Sequence, residues 1–342
     1  MDERSRGRRG SASNQEGSVE MSYRRRGVIV PAVGVLVAAL LLVAGCGGGP
    51  GTQGSQGGTA SSAPRTPTDT AEGRSEETVA AENAGHRWAA ADTAVLTPGV
   101  QAYTAGAGQC TTNYVFVDDA GGVYLGQAAH CAGTGSAGDT DGCTATSLPL
   151  DTAVEFTRNG SLRSQGTAIG TGRLAYSSWS TMQQLGEADG NTCAYNDFAL
   201  VRIDPSFLDQ VNPSLPHWGG PTGLNSAGMS SGDRVYSYGN SSLRGGRAGL
   251  SPQRGQSRAD DSSFDGWTHA LVSPTPGIPG DSGSAYLDSR GHAMGTLSTL
   301  GVGLPIVNNV GDIGRELAYA RAHSGISGLR LVLGTEEFDP NR

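Results

Sequence analysis

From Val95 onward, short apolar or alternating runs recur between glycine-rich turns, and this pattern most constrains the fold. Such runs are too short for helices and are typical of strands in an all-β barrel or sandwich. The runs that we predict as strands are Tyr114–Val117, Val123–Leu125, Ala153–Phe156, Phe198–Ile203, Arg234–Tyr238, His269–Val272, Ser284–Leu287 and Met294–Leu297. The pattern therefore predicts a mainly β domain, with barrel and sandwich both open.

One segment near the C-terminal end has the period of a helix instead. Between Gly311 and Ala322, the residues Ile313, Leu317 and Ala320 fall on one face of a helix. A last strand is predicted at Leu329–Leu333, after this helix.

The N-terminal region has the pattern of an export signal. Arg24–Arg26 precedes the apolar run Val28–Val43, which ends in small residues and Cys46. The stretch Val43–Cys46 resembles a bacterial lipobox, and we therefore predict that residues 1–46 form a signal segment and that Cys46 is lipidated. An uncleaved membrane anchor is an alternative, because the run is near the lower length limit of a spanning helix, and so is a simple cleaved signal.

The composition divides the rest of the chain into two parts. Residues 47–89 are rich in glycine, serine, threonine and proline, and such a segment is expected to be a flexible tether. Residues 90–342 then form the folded domain, outside the cell membrane or secreted. The net charge of -8 and the lack of a basic stripe after Arg26 argue against nucleic-acid binding. No metal-ligand cluster or nucleotide fingerprint is visible, so we expect no metal, no cofactor and a monomer.

Three stretches carry the residue types of a hydrolase. They are Gln127–Cys131 (QAAHC), Asn196–Leu200 (NDFAL) and Gly280–Ser284 (GDSGS). Serine is a poor nucleophile alone, and a neutral imidazole, with an unperturbed pKa of about 6.5, is well suited to take its proton. A buried carboxylate then orients the imidazole ring.

These three motifs, in this order, resemble those of the chymotrypsin-like (trypsin-fold) serine proteases, over about Val95 to Val332. The resemblance implies two antiparallel six-stranded β-barrels with the site between them and a C-terminal helix. It also implies that Ser282 is the nucleophile, His130 the general base and Asp197 the orienting carboxylate. The backbone N–H groups of Gly280 and Ser282 correspond to the oxyanion hole.

The resemblance also suggests how the cysteines pair. Four cysteines in the folded domain permit three pairings. In the family, a disulfide clamps the hairpin that presents the histidine, which implies a Cys110–Cys131 bond. Cys143 and Cys193 then form the second pair.

The substrate pocket is expected beside Ser282. The resemblance puts Pro276 at its base and Ser298, Thr299 and Leu300 on its wall, where a strand pairs with substrate backbone. The loop Ser273–Pro279 contains no acid, and we therefore expect a small or medium apolar residue at P1.

Two nearby residues leave alternatives. His269 is close enough in sequence to reach the pocket, although a structural role is favoured. Asp281 requires a cationic partner. That partner is either a new N-terminus, released by cleavage near residues 74–95, or an internal arginine.

The sequence thus predicts an exported serine endopeptidase that acts on protein or peptide substrates through an acyl-enzyme. The protein is expected at the membrane through its lipid anchor. The alternatives are an inactive cell-surface binding protein on a protease scaffold, and an esterase with the same triad.

Overall fold

The computed structural model describes residues 85–135, 140–258, 260–301 and 306–342. The predicted signal segment, Cys46 and tether residues 47–84 lie outside the described residues. Within the described ranges, no helix is long and apolar enough to cross a membrane. The strands are β1 Gln101–Thr104, β2 Gln109–Thr111, β3 Val115–Val117, β4 Val123–Gln127, β5 Ala153–Arg158, β6 Thr167–Ser177, β7 Ala199–Ile203, β8 Gly223–Leu224, β9 Arg234–Tyr238, β10 Pro252–Ser257, β11 Thr268–Val272, β12 Ala285–Leu287, β13 His292–Gly301, β14 Val307–Asp312 and β15 Arg330–Leu331. The α-helices are α1 Ser178–Leu185, α2 Gly190–Tyr195 and α3 Ile313–His323.

The first half of the domain forms a closed barrel. Its strands pair in the order β3-β4-β7-β6-β5-β1-β2, and β15 adds to the edge of β3. The chain runs directly from β2 into β3. Between them, the N–H of Thr112 bonds to the carbonyl of Val100 (3.0 Å), and that of Asn113 to the carbonyl of Gly126 (2.7 Å). This continuous segment therefore joins β1 to β4 and closes a ring of six strands.

The second half forms another six-stranded ring. Its order is β12-β9-β10-β11-β14-β13, and β12 also pairs with β13, which closes the barrel. The short strand β8 lies parallel to β13 outside the ring. The predicted fold class, mainly β with two antiparallel six-stranded barrels and a C-terminal helix, is confirmed.

Each barrel has its own apolar core. Full burial of a side chain such as Phe156 or Leu125 contributes roughly 1.5–3 kcal/mol, so these cores dominate the stability of the domain. The first core is Leu96, Val100, Ala102, Val115, Val117, Val123, Leu125, Val154, Phe156, Val201, Ile203, Val211 and Val332. The second is Met229, Val235, Leu271, Tyr286, Met294, Leu297 and Val310.

Helix α3 begins after Asp312, whose carboxylate accepts a hydrogen bond from the N–H of Arg315 (2.8 Å). This N-cap satisfies one of the free N–H groups of the first turn. The predicted apolar face, Ile313, Leu317 and Ala320, is fully buried against both barrels.

The barrel topology brings the sequence motifs together. Strands β4 and β7 are antiparallel neighbours that pair Gln127 with Ala199, so His130, just after β4, and Asp197, just before β7, lie at the same end. Ser282 precedes β12 in the other barrel. Its carbonyl accepts a hydrogen bond from the N–H of Thr111 on β2 (2.8 Å), which places it at the seam between the barrels.

Candidate active site

His130 and Asp197 form a close pair where strand β4 ends and strand β7 begins. The Nδ1 atom of His130 lies 2.6 Å from Oδ2 of Asp197, and the backbone N–H of His130 donates to Oδ1 (2.8 Å). The hydroxyl of Ser298 donates to Oδ2 of the same carboxylate (2.7 Å). Asp197 is only 4% exposed. Three donors thus fix a buried carboxylate, which in turn fixes the imidazole ring.

The two groups set each other's charge. Burial favours a neutral Asp197, but protonated His130 and the hydrogen bonds from His130 and Ser298 outweigh it and lower the pKa of the carboxyl. Burial also opposes a charged imidazole, yet the Asp197 carboxylate outweighs it and raises the pKa of His130. An ionised Asp197 holds the neutral ring with its proton on Nδ1, so Nε2 is available as a base.

Ser282 shares a cavity of about 610 Å³ with His130 and Asp197. Its hydroxyl makes no hydrogen bond to the imidazole or to any other described residue. Such contacts are often long before substrate binds and tighten in the complex. The Ser282 and His130 side chains therefore line one cavity, with no hydrogen bond between them among the described residues.

The backbone around Ser282 offers two free donors. Among the described residues, the N–H groups of Gly280 and Ser282 have no hydrogen-bond acceptor, and both residues line the cavity. Gly280 has φ +95°, and a Cβ there would lie 2.3 Å from Oε1 of Gln109. Glycine is therefore required at this turn. Two N–H groups that lack a protein acceptor and belong to residues lining the same cavity fit the binding of a negatively charged oxygen.

Asp281 has an internal cationic partner. The guanidinium of Arg244 forms a close ion pair with Oδ2 of Asp281, and Asp281 is 0% exposed. The N–H groups of Ser241 (2.8 Å) and Ile278 (3.0 Å) and the amide of Gln253 (3.2 Å) donate to the same carboxylate. Of the two alternatives for Asp281, the structure therefore contains the internal arginine.

The structure contains both disulfides that the resemblance implied. Cys110 on β2 is bonded to Cys131, the residue after His130, and Cys143 is bonded to Cys193. The first bond ties the turn that carries His130 to the neighbouring strand. The second ties the loop after His130 to helix α2, which leads to Asp197.

A wall that sequence reasoning did not identify lies on the His130 side of the cavity. Trp179 of α1 lines it, and a Cβ on Gly142 would lie 2.3 Å from its ring. The amide of Gln183 donates to the carbonyls of Gly142 (2.8 Å) and Ala145 (2.7 Å). The loop after His130 is thereby held against α1. An amphipathic signal was weak in this eight-residue helix, so the sequence offered little warning.

The predicted pocket residues divide between different roles. Ser298 and Thr299 line the cavity, but the Ser298 hydroxyl is committed to Asp197. Leu300 belongs to β13 by its backbone, pairing with Asn308, and its side chain lies outside the described part. Pro276 does not line the cavity, whereas the next residue, Gly277, does.

Gly277 and Leu297 lie close together in the cavity lining. A Cβ on Gly277 would lie 2.6 Å from the side chain of Leu297, so the two surfaces nearly touch. The side-chain amide of Asn308 bonds to both the N–H (2.9 Å) and the carbonyl (3.4 Å) of Gly277. Among the described residues that line the cavity, Asp197 is the only acid. The part of the cavity beside Gly277 and Leu297 therefore has no carboxylate for a basic side chain, and the amide of Asn308 there is bonded to the Gly277 backbone.

His269 does not reach the cavity. It is buried on β11, with Nδ1 2.8 Å from Asp260 and Nε2 2.9 Å from Asp312. Burial opposes its charged form, but the two carboxylates outweigh burial and raise the pKa of His269. Its role is structural, the favoured alternative.

The described residues contain two groups of possible metal ligands, and neither is free to bind an ion. One consists of Cys110, His130 and Cys131, and the other includes Cys143 and Cys193. Every cysteine in them is in a disulfide, so its sulfur cannot act as a thiolate ligand.

The chain matches no protein-family model and none of the curated proteins. Several solved structures resemble it. Thermobifida fusca protease A is 18% identical with a TM-score of 0.42, and the match covers 70% of this chain and 100% of that one. Nocardiopsis protease is 17% identical with a TM-score of 0.40, over 69% and 97%. A Glu endopeptidase is 16% identical with a TM-score of 0.43, over 66% and 91%.

Proposed function

We propose that the protein is an exported serine endopeptidase whose catalytic triad is His130, Asp197 and Ser282. The observation that carries the proposal is the buried Asp197 carboxylate, which orients His130 beside a cavity that also contains Ser282 and two free N–H groups. Each part has the role that acyl transfer requires.

The proposed reaction passes through an acyl-enzyme. Nε2 of His130 takes the proton of the Ser282 hydroxyl as its oxygen bonds to the carbonyl carbon of the substrate. The N–H groups of Gly280 and Ser282 donate to the resulting oxyanion. His130 then gives its proton to the leaving amine as the C–N bond breaks. In the second half, His130 takes a proton from water as the water oxygen bonds to the ester carbon. The bond to the Ser282 oxygen then breaks, and His130 returns the proton to that oxygen.

The part of the cavity beside Gly277 and Leu297 supports a small or medium apolar residue at P1. A long side chain would meet Leu297 across Gly277, and a basic one would find no counter-charge there. After Leu297, strand β13 pairs only with β14 among the described residues, so its other edge is free there. This edge is suited to pair with an extended substrate. A peptide library that is cleaved chiefly after arginine would contradict this specificity.

Labelling with a fluorophosphonate probe tests the activity. The wild type and Ser284→Ala should be labelled, and Ser282→Ala should not. Ser284 is a matched control, since it lies in the same motif and its buried hydroxyl has no partner among the described residues. Labelling followed by digestion of casein supports a protease, whereas labelling with hydrolysis of esters alone supports an esterase. A folded wild type that is not labelled would favour a binding scaffold.

The proposed location is the outer face of the bacterial membrane, through lipidated Cys46. Two disulfides in the folded domain support an oxidising compartment, because such bonds are rare in the cytosol. Metabolic labelling with a fatty acid, lost in Cys46→Ala, is the expected result. Equal labelling of the two proteins would contradict it.

A further inference from the structure

Glu316 is a buried acid that the proposed reaction does not use. It lies in the first turn of α3 on the same face as Ile313, Leu317 and Ala320, and it is 0% exposed. Among the described residues it forms no ion pair. A buried carboxyl without a cation is strongly favoured to stay neutral.

The carboxyl of Glu316 contacts the backbone of Asp197. Its Oε1 atom accepts a hydrogen bond from the backbone N–H of Asp197 (3.3 Å). The chain leaves space for this contact at Gly311, where a Cβ would lie 2.3 Å from Oε1. Glu316 therefore binds the backbone N–H of Asp197, whereas the Asp197 side chain binds His130.

The groups around Glu316 favour its protonated form. The ionisable groups that face it are Asp197, Asp312 and Tyr176, and none of them is a cation. Burial first, and then the charge of Asp197, raise the pKa of Glu316 well above its ordinary value. Hydrogen bonds from the Asp197 N–H and the Thr296 side chain favour the ionised form, but burial and the charge of Asp197 outweigh them. The helix N-terminus favours an anion, but its effect is small beside the cost of burying an unpaired charge.

We propose that Glu316 is a positioning residue that acts as a neutral carboxylic acid, anchoring the Asp197 backbone and leaving Asp197 as the sole anion beside His130. This inference rests on the proposed function. A second negative charge next to Asp197 would raise the pKa of His130, so that at a given pH less of the ring would be in the neutral form that can take the Ser282 proton. A neutral anchor avoids that effect.

The first test compares Glu316→Gln with Glu316→Leu in steady-state kinetics. The amide oxygen of Gln can still accept the Asp197 N–H, so this variant should keep most of kcat and the same pKa on the acid limb of kcat/KM. Leu leaves that N–H unpaired, and kcat should fall about 10- to 100-fold with little change in KM. A lower acid-limb pKa in Glu316→Gln would mean that Glu316 is ionised. An unchanged kcat in Glu316→Leu would mean that it does not position Asp197. Either result overturns the proposal.

The second test does not depend on activity. Folded Glu316 keeps a proton that the unfolded chain releases above about pH 4.3. As pH rises from about 4.3 to the pKa of Glu316 in the folded protein, the unfolding constant of the wild type should increase up to tenfold per pH unit relative to that of Glu316→Gln. Urea unfolding of both full-length proteins measures the ratio. A ratio that does not change with pH refutes the neutral acid. This result is independent of whether fluorophosphonate labels Ser282.

Discussion

Replacing Arg244 by methionine tests whether the internal ion pair holds the loop that carries Ser282. Arg244 is 11% exposed and Asp281 0%, so the substitution leaves a buried carboxylate without its cation. Breaking such a pair costs about 3–5 kcal/mol of unfolding free energy. The matched control is Arg173→Met, because the Arg173–Asp151 pair is 62% and 80% exposed. An exposed pair contributes at most about 1 kcal/mol.

Urea unfolding and kcat/KM measured on the same samples check this reasoning. Asp281 lies between the two proposed oxyanion donors, Gly280 and Ser282, so releasing it should also misplace them. Loss of one such donor lowers kcat by about 10²–10³-fold. The double variant Arg244→Met/Asp281→Asn should recover part of the stability, because it removes the unpaired charge. If Arg244→Met is as stable and active as Arg173→Met, the ion pair does not hold the loop.

Two further predictions follow from buried hydrogen bonds. Ser298→Ala removes a donor to Oδ2 of Asp197. Because a hydrogen bond to a charged group contributes roughly 1.5–3 kcal/mol, kcat should fall about 10- to 150-fold with KM unchanged. An unaltered kcat would show that the bond is dispensable. His269→Gln should lower the free energy of unfolding at low pH, because protonated His269 donates from both ring nitrogens, to Asp260 and to Asp312. The loss should be largest below about pH 6.5, the ordinary pKa of histidine in the unfolded chain, and should shrink as pH rises through the raised pKa of folded His269. Thermal unfolding of both proteins from pH 5 to 9 measures the difference in stability, and a difference that grows with pH would contradict the prediction. The substitution should leave kcat/KM unchanged.

The strands that the sequence revealed are those with their own apolar runs. Arg234–Tyr238 was predicted with the bounds of β9, and Ala153–Phe156 falls within β5. Strands β10 (PQRGQS) and β14 (VNNVGD) were not predicted, because their residues are mostly polar or glycine. Both lie between two partners in a closed ring, and the pairing of their backbones outweighs weak local preference.

The site was predictable only where a motif marked it. Ser298 was assigned to the pocket, yet its hydroxyl is bound to Asp197, a contact that depends on how the two barrels meet. Arg244 had no distinguishing feature among the arginines. Glu316 did have one, because it interrupts the apolar face formed by Ile313 and Leu317. An acid at a core position of an amphipathic helix is a signal for a neutral or paired carboxyl.

The segment from Gln109 to Asn113 explains why the site needs both barrels. Its polar side chains are not exposed like those of an ordinary edge strand. Thr111 donates through its hydroxyl to the carbonyl of Gly280 (2.8 Å) and through its N–H to that of Ser282 (2.8 Å), and the amide of Gln109 also reaches Gly280 (2.9 Å). These bonds engage the carbonyls of Gly280 and Ser282, whereas the N–H groups of the same two residues have no acceptor among the described residues. Because Cys110, in the same segment, is bonded to Cys131, one stretch of chain positions both the loop that carries Ser282 and the turn that carries His130.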